Sequence, residues 1–458
     1  MAAFRKVLIA NRGEIACRIA TVLRQRGIAS VAVCSEADAN ARHVRLADEH
    51  VLIGPPPVAQ SYLNQDAILE AARATGAEAI HPGYGLLSEN IGFARRVAEA
   101  GLVFIGPTPE AIEAMGDKAR ARETARLAGC PVVPGSDGPV EDDDEAARIA
   151  EALGYPVLVK AAGGGGGIGM AIVEQPDKLA RALTSCRDRG RSSFGNAAVY
   201  LEKYIERPRH IEVQVLFDHF GHGVHLFERE CSVQRRHQKV IEEAPSPFVV
   251  AHPEMREGLT RAALAAASAI GYRNAGTVEF VVGQDGRFYF IEMNTRLQVE
   301  HAVTEAITGV DLIGWQLDIA AGQHLTLQQA DVTCTGAAIE CRIYAEDPEK
   351  SFVPKPGRIG AFEPPTGEGV RFDTGVGPDT DVTPYYDPMI AKLVTHAGDR
   401  AEATTRAIDA LERFRIDGLT TNRAFLQTIL ATDTFRQAYY DTGWLERYVK
   451  AARKAQAT

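Results

Sequence analysis

The sequence predicts an α/β chain that turns α+β toward its C-terminus. Three observations carry this prediction: the length, an alternation of strand-like and helix-like segments near the start, and two changes of texture further on. At 458 residues the chain has room for about three domains of ~150 residues each. Strands alternating with helices imply a parallel sheet covered on both faces.

Lys6–Ala10 reads as a short buried strand, Asn11–Gly13 as a turn, and Glu14–Arg26 as a helix on the spacing of Ile15, Ile19, Val22 and Leu23. Gly27 stops that helix, and Ser30–Val33 is the next strand. Similar units follow around Ala79–His81 and Leu102–Ile105. The first turn lacks G-x-G-x-x-G, which argues against a dinucleotide there and leaves this region as a scaffold. Pro131–Asp144, rich in Pro, Gly and Asp, marks a boundary. Pro156–Lys160 is a strand that runs into Gly163–Gly167, and Val199–Ile205 is another. Val213–Phe217 and Gly223–Phe227 form a hairpin, while Pro253–Ile270 and Asp311–Ala321 are helices. From about Asp331, Pro/Gly turns separate the strands Ala337–Tyr344 and Ile390–His396, and Arg400–Phe414 is a helix.

Fifty Lys and Arg against sixty Asp and Glu give a net charge of -10, with 45% hydrophobic and 24% charged residues. This balance excludes disorder and a fibrous chain, and disfavours a basic surface for nucleic acid. The seven cysteines are odd in number and form no C-x-x-C. They read as reduced thiols of a cytoplasmic protein. No run approaches the ~20 apolar residues of a membrane span, and Met1–Lys6 is too short and polar to begin a signal peptide.

The segment Gly276–His301 is the most informative. Gly276–Val282 and Arg287–Asn294 are strands around a Gly283–Gly286 turn, and Asp-Gly between such runs signals a hairpin. With Asp285-Gly286 as the loop pair, Glu279 faces Glu292. Opposed like charges are destabilising unless something neutralises them, and oxygen-only ligands suit Mg²⁺ or Mn²⁺ rather than zinc. A solvated face carrying two carboxylates is the plain alternative. Against it, Glu292, Asn294, Arg296, Gln298 and Glu300 share parity, as the wall of an active site would. Gln234–Lys239 is a polar run in which, if extended, Arg235, His237 and Lys239 share a face. It reads as a solvated basic loop or as an anion-binding edge. In Lys160–Gly169 a strand lysine precedes five glycines. Such a run is either a flexible linker or a loop whose N–H groups approach phosphate. It is not a P-loop, because no G-K-[ST] follows.

At these residues the sequence resembles biotin carboxylase, the ATP-grasp component of biotin-dependent carboxylases. The matching strings are Ile9–Ala16, His81–Gly85, Met115–Lys118, the lysine–glycine run, Gln234–Lys239, Glu292–His301, Glu340–Ile343 and Ala345–Pro348. The resemblance implies a Rossmann-like N-terminal domain over 1–115 and an ATP-grasp domain over 116–330 with a glycine-rich lid at about 131–205. A C-terminal biotin carboxylase domain over 331–450 completes it. It also implies the reaction. ATP and bicarbonate give carboxyphosphate and ADP, and biotin on a carrier protein is carboxylated, the first half-reaction of an acyl-CoA carboxylase.

The resemblance assigns roles as well. Lys118 and Lys160 meet ATP phosphates, and Glu202, Lys203, Tyr204 and Ile205 form the adenine-side strand. Gly166, Gly167, His210, Gln234 and His237 lie around the nucleotide. Glu279, Glu292 and Asn294 hold two Mg²⁺ or Mn²⁺ ions. Lys239, Arg296, Gln298 and Val299 bind bicarbonate, Glu300 takes its proton, and Arg342 steadies the biotin enolate. A related ATP-grasp ligase of the carbamoyl-phosphate type is the alternative, and the segment around Arg342 speaks against it. Two features depart from the family pattern. Ile168 stands where a basic residue is usual after the glycines, and Ala171 replaces a usual Arg. No lysine sits between two methionines, as a biotin acceptor would. Met389 and Lys392 lie instead in Asp387–Lys392. The carrier and carboxyltransferase are therefore expected on other chains, and the family implies a homodimer.

Overall fold

The computed structural model describes residues 4–165, 168–194 and 196–456. The N-terminal unit is a five-stranded parallel sheet in the order Glu49–Gly54, Ala29–Ser35, Lys6–Ile9, Ala79–His81, Val103–Phe104. The helix Gly13–Gln25 buries Ile15, Ile19, Val22 and Leu23 against it, as their spacing requires. Its N-terminal turn touches the far end of the chain. A Cβ on Gly375 would stand 2.5 Å from the Gly13 carbonyl carbon, so only glycine permits this approach.

Val157–Gly165, Ile168–Val173 and Val199–Lys203 form a separate antiparallel sheet, with Val157–Gly165 in the middle. Helix Leu179–Phe194 packs on it through a core that includes Val157, Val159, Val173, Leu183 and Leu201. The glycine run is thus not a loop from its start: the strand continues to Gly165.

The larger sheet has eight strands, all antiparallel. In order they are Phe288–Asn294, Asn274–Val282, Arg209–Phe217, Gly223–Arg235, Gln238–Ala244, Ala337–Tyr344, Met389–Ala397 and Val370–Thr374. Its Ala-rich helix Glu254–Ala269 covers one end, and helices Arg400–Arg413 and Arg423–Ala431 cover the other. The change of texture near Asp331 does not end this sheet. Gln238–Ala244 pairs with Ala337–Tyr344 across it, so residues a hundred positions apart share one surface.

Three local expectations are corrected by this sheet. The hairpin turn is not the pair Asp285-Gly286 but the longer Gly283–Arg287, with Val282 facing Phe288. A bulge between Glu279 and Phe280 adds the compensating residue, so Glu279 still faces Glu292. The polar run after Glu292 is not a strand throughout: pairing stops at Asn294. Finally, Gln234–Lys239 is not one extended face. Arg236 and His237 have φ of +50° and +64° and form the tip of a tight hairpin in which Gln234 faces Lys239. Two successive positive φ values match the twist that such a two-residue turn requires.

Candidate active site

A row of charge crosses four neighbouring strands. Glu292 faces Glu279, Glu279 faces Glu212, and Glu212 faces Arg229. Three adjacent carboxylates on one face repel one another. Lys239 answers two of them from the next hairpin. Its Nζ lies 2.6 Å from Glu212 Oε2 and 2.9 Å from Glu279 Oε1, and also 2.6 Å from Glu300 Oε1. Burial disfavours the ammonium, but Glu212, Glu279 and Glu300 hold its pKa well above the usual lysine range.

Glu300 is 2% exposed and bridges two cations. Its other oxygen accepts from Arg342 Nη2 at 3.0 Å, while Arg342 Nε donates to Glu242 Oε1 at 2.6 Å. Burial raises the Glu300 carboxyl pKa, yet Lys239, Arg342 and Arg229 together hold it well below the carboxylate range. The same contest ends differently at Glu242. There burial, aided by the charge of Glu300, outweighs Arg342 and leaves the pKa at about 7. Charges in such surroundings interact far more strongly than in water.

The segment after Asn294 converges on the same point without strand geometry. Asn294 Nδ2 and Gln298 Nε2 donate to Glu279 Oε1 at 2.9 and 2.8 Å. Arg296 reaches Asn294 Oδ1 at 2.9 Å and Glu89 Oε2 at 2.9 Å. His210 Nε2 stands 3.0 Å from Glu279 Oε2. Its pKa is raised, because Glu279 and Glu212 more than offset burial and Lys239. Gln234 is buried opposite Lys239.

Glu279, Glu292 and Asn294 offer oxygen donors only, on adjacent strands, and Glu292 is one-third exposed with Lys118 Nζ 3.1 Å away. This donor set fits Mg²⁺ or Mn²⁺. His210, Glu212 and Glu279 also bring ligand atoms within 4.8 Å of one another. Lys239 already neutralises both of those carboxylates.

Of the nucleotide-side expectations, Lys160, Glu202 and Lys203 sit on the smaller sheet. Lys160 Nζ is 3.1 Å from Glu202, which also accepts from Arg122 at 2.8 Å. Lys203 Nζ donates to the Gly154 carbonyl at 2.7 Å, so its side chain braces the preceding helix end. The Tyr204 N–H donates to Pro156 O at 3.2 Å, and Ile205 is half-buried just past the strand end at Lys203. His237 projects from the exposed hairpin tip and is not drawn into the charge row. Gly166 and Gly167 lie outside the described residues.

Sequence reasoning missed Glu212, Arg229, Glu242, Glu89 and Arg122. A signal for Glu212 existed: His210, Glu212 and Gln214 alternate with Ile211, Val213 and Val215 on one strand. Nothing local distinguishes Glu89 or Arg122, which reach their partners over 207 and 80 residues.

Comparison with known proteins agrees with this layout. Residues 3–112 match the family described as biotin carboxylase, N-terminal domain, and residues 340–447 its C-terminal domain. Residues 117–328 match the carbamoyl-phosphate synthase L chain, ATP binding domain. The chain is 52% identical to a biotin carboxylase of Halalkalibacterium halodurans, covering 98% of each. It is 51% identical to a pyruvate carboxylase subunit of Methanothermobacter thermautotrophicus, over 97% of this chain and 90% of that one. Among solved structures, the biotin carboxylase–β,γ-ATP complex from Campylobacter jejuni superposes with a TM-score of 0.89 at 44% identity, covering 97% of this chain and 99% of that one. The biotin carboxylase domain dimer of Hydrogenobacter thermophilus 2-oxoglutarate carboxylase, with MgADP, ADP and bicarbonate, gives 0.88 at 48%, covering 97% and 98%.

Proposed function

The chain belongs to the biotin carboxylase family, and from that premise we propose the roles of its residues and the partners it serves. It is an ATP-grasp ligase that uses ATP, bicarbonate and a divalent metal to carboxylate biotin. Bicarbonate attacks the γ-phosphorus, ADP leaves, and carboxyphosphate forms. Its breakdown yields phosphate and CO₂, and the biotin ureido nitrogen bonds the CO₂ as its N–H proton passes to that phosphate.

One observation carries the assignment of the base. Glu300 is a carboxylate buried between Lys239 and Arg342, and Lys239 also meets Glu279, to which Gln298 donates. An anion arriving among these cations takes over part of their charge. That lifts the Glu300 pKa from its depressed value and makes it a competent acceptor for the bicarbonate proton. Lys239, Arg296, Gln298 and the Val299 N–H hold the bicarbonate. The planar fork of Arg342 faces the biotin oxygen as negative charge develops there. Glu279, Glu292 and Asn294 would hold the metal, which would supply positive charge against that of the phosphates. Lys118 and Lys160 meet the phosphates, leaving Glu292 and Glu202 when they do. Glu202, Lys203, Tyr204 and Ile205 line the adenine side, with His210, Gln234, His237, Gly166 and Gly167 around the nucleotide. The residues divide as 1–115, 116–330 and 331–450.

The biotin arrives on a carrier protein, and a carboxyltransferase on another chain receives the carboxyl group. Relatives named as components of pyruvate and propionyl-CoA carboxylases support this, and the dimer of the Hydrogenobacter domain supports a homodimer here. Seven cysteines without a disulfide support a cytoplasmic location. Among the described residues no helix is long and apolar enough to cross a membrane. The test is ADP release with Mg²⁺, ATP and bicarbonate, with and without free biotin. Stimulation by biotin that Glu300→Gln removes is the expected result. ADP release that ignores both biotin and Glu300→Gln overturns the base assignment.

A further inference from the structure

Three buried side chains behind the Gln298–Glu300 segment have no direct part in the reaction just described. They are Arg229, His301 and Lys392, each essentially inaccessible at 0%. Lys392 is also the lysine whose sequence setting excludes it as a biotin acceptor. Each of the three holds a different oxygen of the same segment.

Arg229 spends its guanidinium completely. Nε donates to Glu212 Oε1 at 2.6 Å, and Nη1 to Gln214 Oε1 at 2.8 Å and Thr304 Oγ1 at 2.9 Å. Nη2 donates to Thr277 Oγ1 at 3.1 Å and Gln298 Oε1 at 2.6 Å. A guanidinium accepts nothing. The Gln298 amide must therefore turn its oxygen to Arg229 and its NH₂ forward, where it meets Glu279 Oε1 at 2.8 Å.

His301 Nδ1 lies 2.8 Å from the Gln298 carbonyl oxygen. A carbonyl only accepts, so Nδ1 carries the proton. Burial, with Lys392, Arg371 and Arg18 nearby, keeps the ring neutral. In a trans peptide the C=O and N–H point opposite ways. Tying the Gln298 carbonyl to the following helix thus turns the Val299 N–H the other way, and that N–H donates to no other described residue. Lys392 Nζ holds the third oxygen, the Val299 carbonyl, at 2.6 Å, and is anchored 3.2 Å from Glu14 of the N-terminal unit.

We propose that Arg229, His301 and Lys392 are positioning residues that lock the polarity of this segment, holding all three of its oxygens behind so that two N–H donors, Gln298 Nε2 and Val299 N, face bicarbonate. The two ends of an amide have nearly the same shape. Without Arg229 only Glu279 opposes a flip of the Gln298 side chain, and a flip would present an oxygen to an anion. This inference rests on the reading of Gln298 and Val299 as bicarbonate ligands.

The test measures KM for bicarbonate and for ATP separately, by ADP release with free biotin, alongside the melting temperature. Arg229→Lys keeps the charge but loses the fork, and His301→Leu and Lys392→Met each free one carbonyl. Each is expected to raise the bicarbonate KM about 10–100-fold, as loss of an orienting partner does elsewhere, with the ATP KM nearly unchanged. His301→Asn, whose amide N–H replaces Nδ1–H, restores most of the loss caused by His301→Leu. Gln298→Glu leaves Arg229 its acceptor but puts an oxygen where the N–H was, and matches the Arg229 variant even if that one folds poorly. Equal rises in both KM values, or no rise in either, overturn the proposal. An unchanged bicarbonate KM in Gln298→Ala overturns the ligand reading beneath it instead.

Discussion

The large sheet and the glycine-rich unit treat the same kind of ion pair in opposite ways. Lys239 is enclosed by three carboxylates, two of them almost wholly buried. Lys160 meets Glu202 at a similar distance, but its side chain is 31% exposed and Glu202's is 15%. Lys239 is locked into position because leaving would strand buried charge. Lys160 can exchange its partner for a phosphate at little cost, because Glu202 keeps Arg122 when Lys160 leaves. The difference fits the tasks proposed for them: proton removal needs fixed groups in a dry site, while a cover over a nucleotide needs groups that let go.

The largest test of this contrast is catalytic. Glu300→Gln should lower biotin-dependent ADP release about 10²–10⁴-fold, the range for a general base, and full activity would break the comparison at its centre. Lys239→Met should cost about 3–5 kcal/mol in urea unfolding, as breaking buried pairs does. A much smaller loss would show that the site is wetter than its burial implies.

A pH series separates the two signs of shift within the large sheet. Glu242 is raised from 4.5 to about 7, so its contribution is present at low pH and lost as pH rises through about 7. Glu300 and Glu279 are depressed, so theirs is present above the ordinary carboxylate range and lost as pH falls through their lowered values. The melting temperature of Glu242→Gln should therefore decline less than the parent's between 4.5 and about 7. An identical decline in both proteins would remove Glu242 as its source.

Smaller effects belong to the glycine-rich unit. Lys160→Met should cost at most ~1 kcal/mol of stability while raising the ATP KM, the reverse of the split expected at Lys239. Ile168→Arg should tighten ATP several-fold by restoring the cation usual at that position. An unchanged ATP KM and kcat would show that the glycine backbone suffices.

Much of the site was legible because alternation along a strand is local information. Glu279 and Glu292 were expected to face each other, and they do, although the turn is longer and a bulge makes up the difference. The convergence of Asn294, Arg296, Gln298 and Glu300 was legible from parity and motif, but not for the reason parity supplies. The strand ends at Asn294, and what aims Gln298 and Glu300 is Arg229 and Lys239 on other strands. Arg235 and His237 were misplaced because a two-residue hairpin with paired positive φ has no glycine here to announce it.

The sequence by itself determined the parallel N-terminal sheet, the order of the elements, the family and the facing of Glu279 and Glu292. Periodicity, turn chemistry and motif strings are properties of neighbours along the chain. Only the tertiary structure decided that one eight-stranded sheet runs through the change of texture near Asp331, bringing Arg342 to Glu300 and Lys392 to Val299. It also decided which carboxylates stay ionised. Glu300 and Glu242 are the same side chain in the same buried cluster, and their pKa values part because two buried cations touch one and a single shared arginine touches the other. Burial and partner count are set by strands distant in sequence, which no local pattern records.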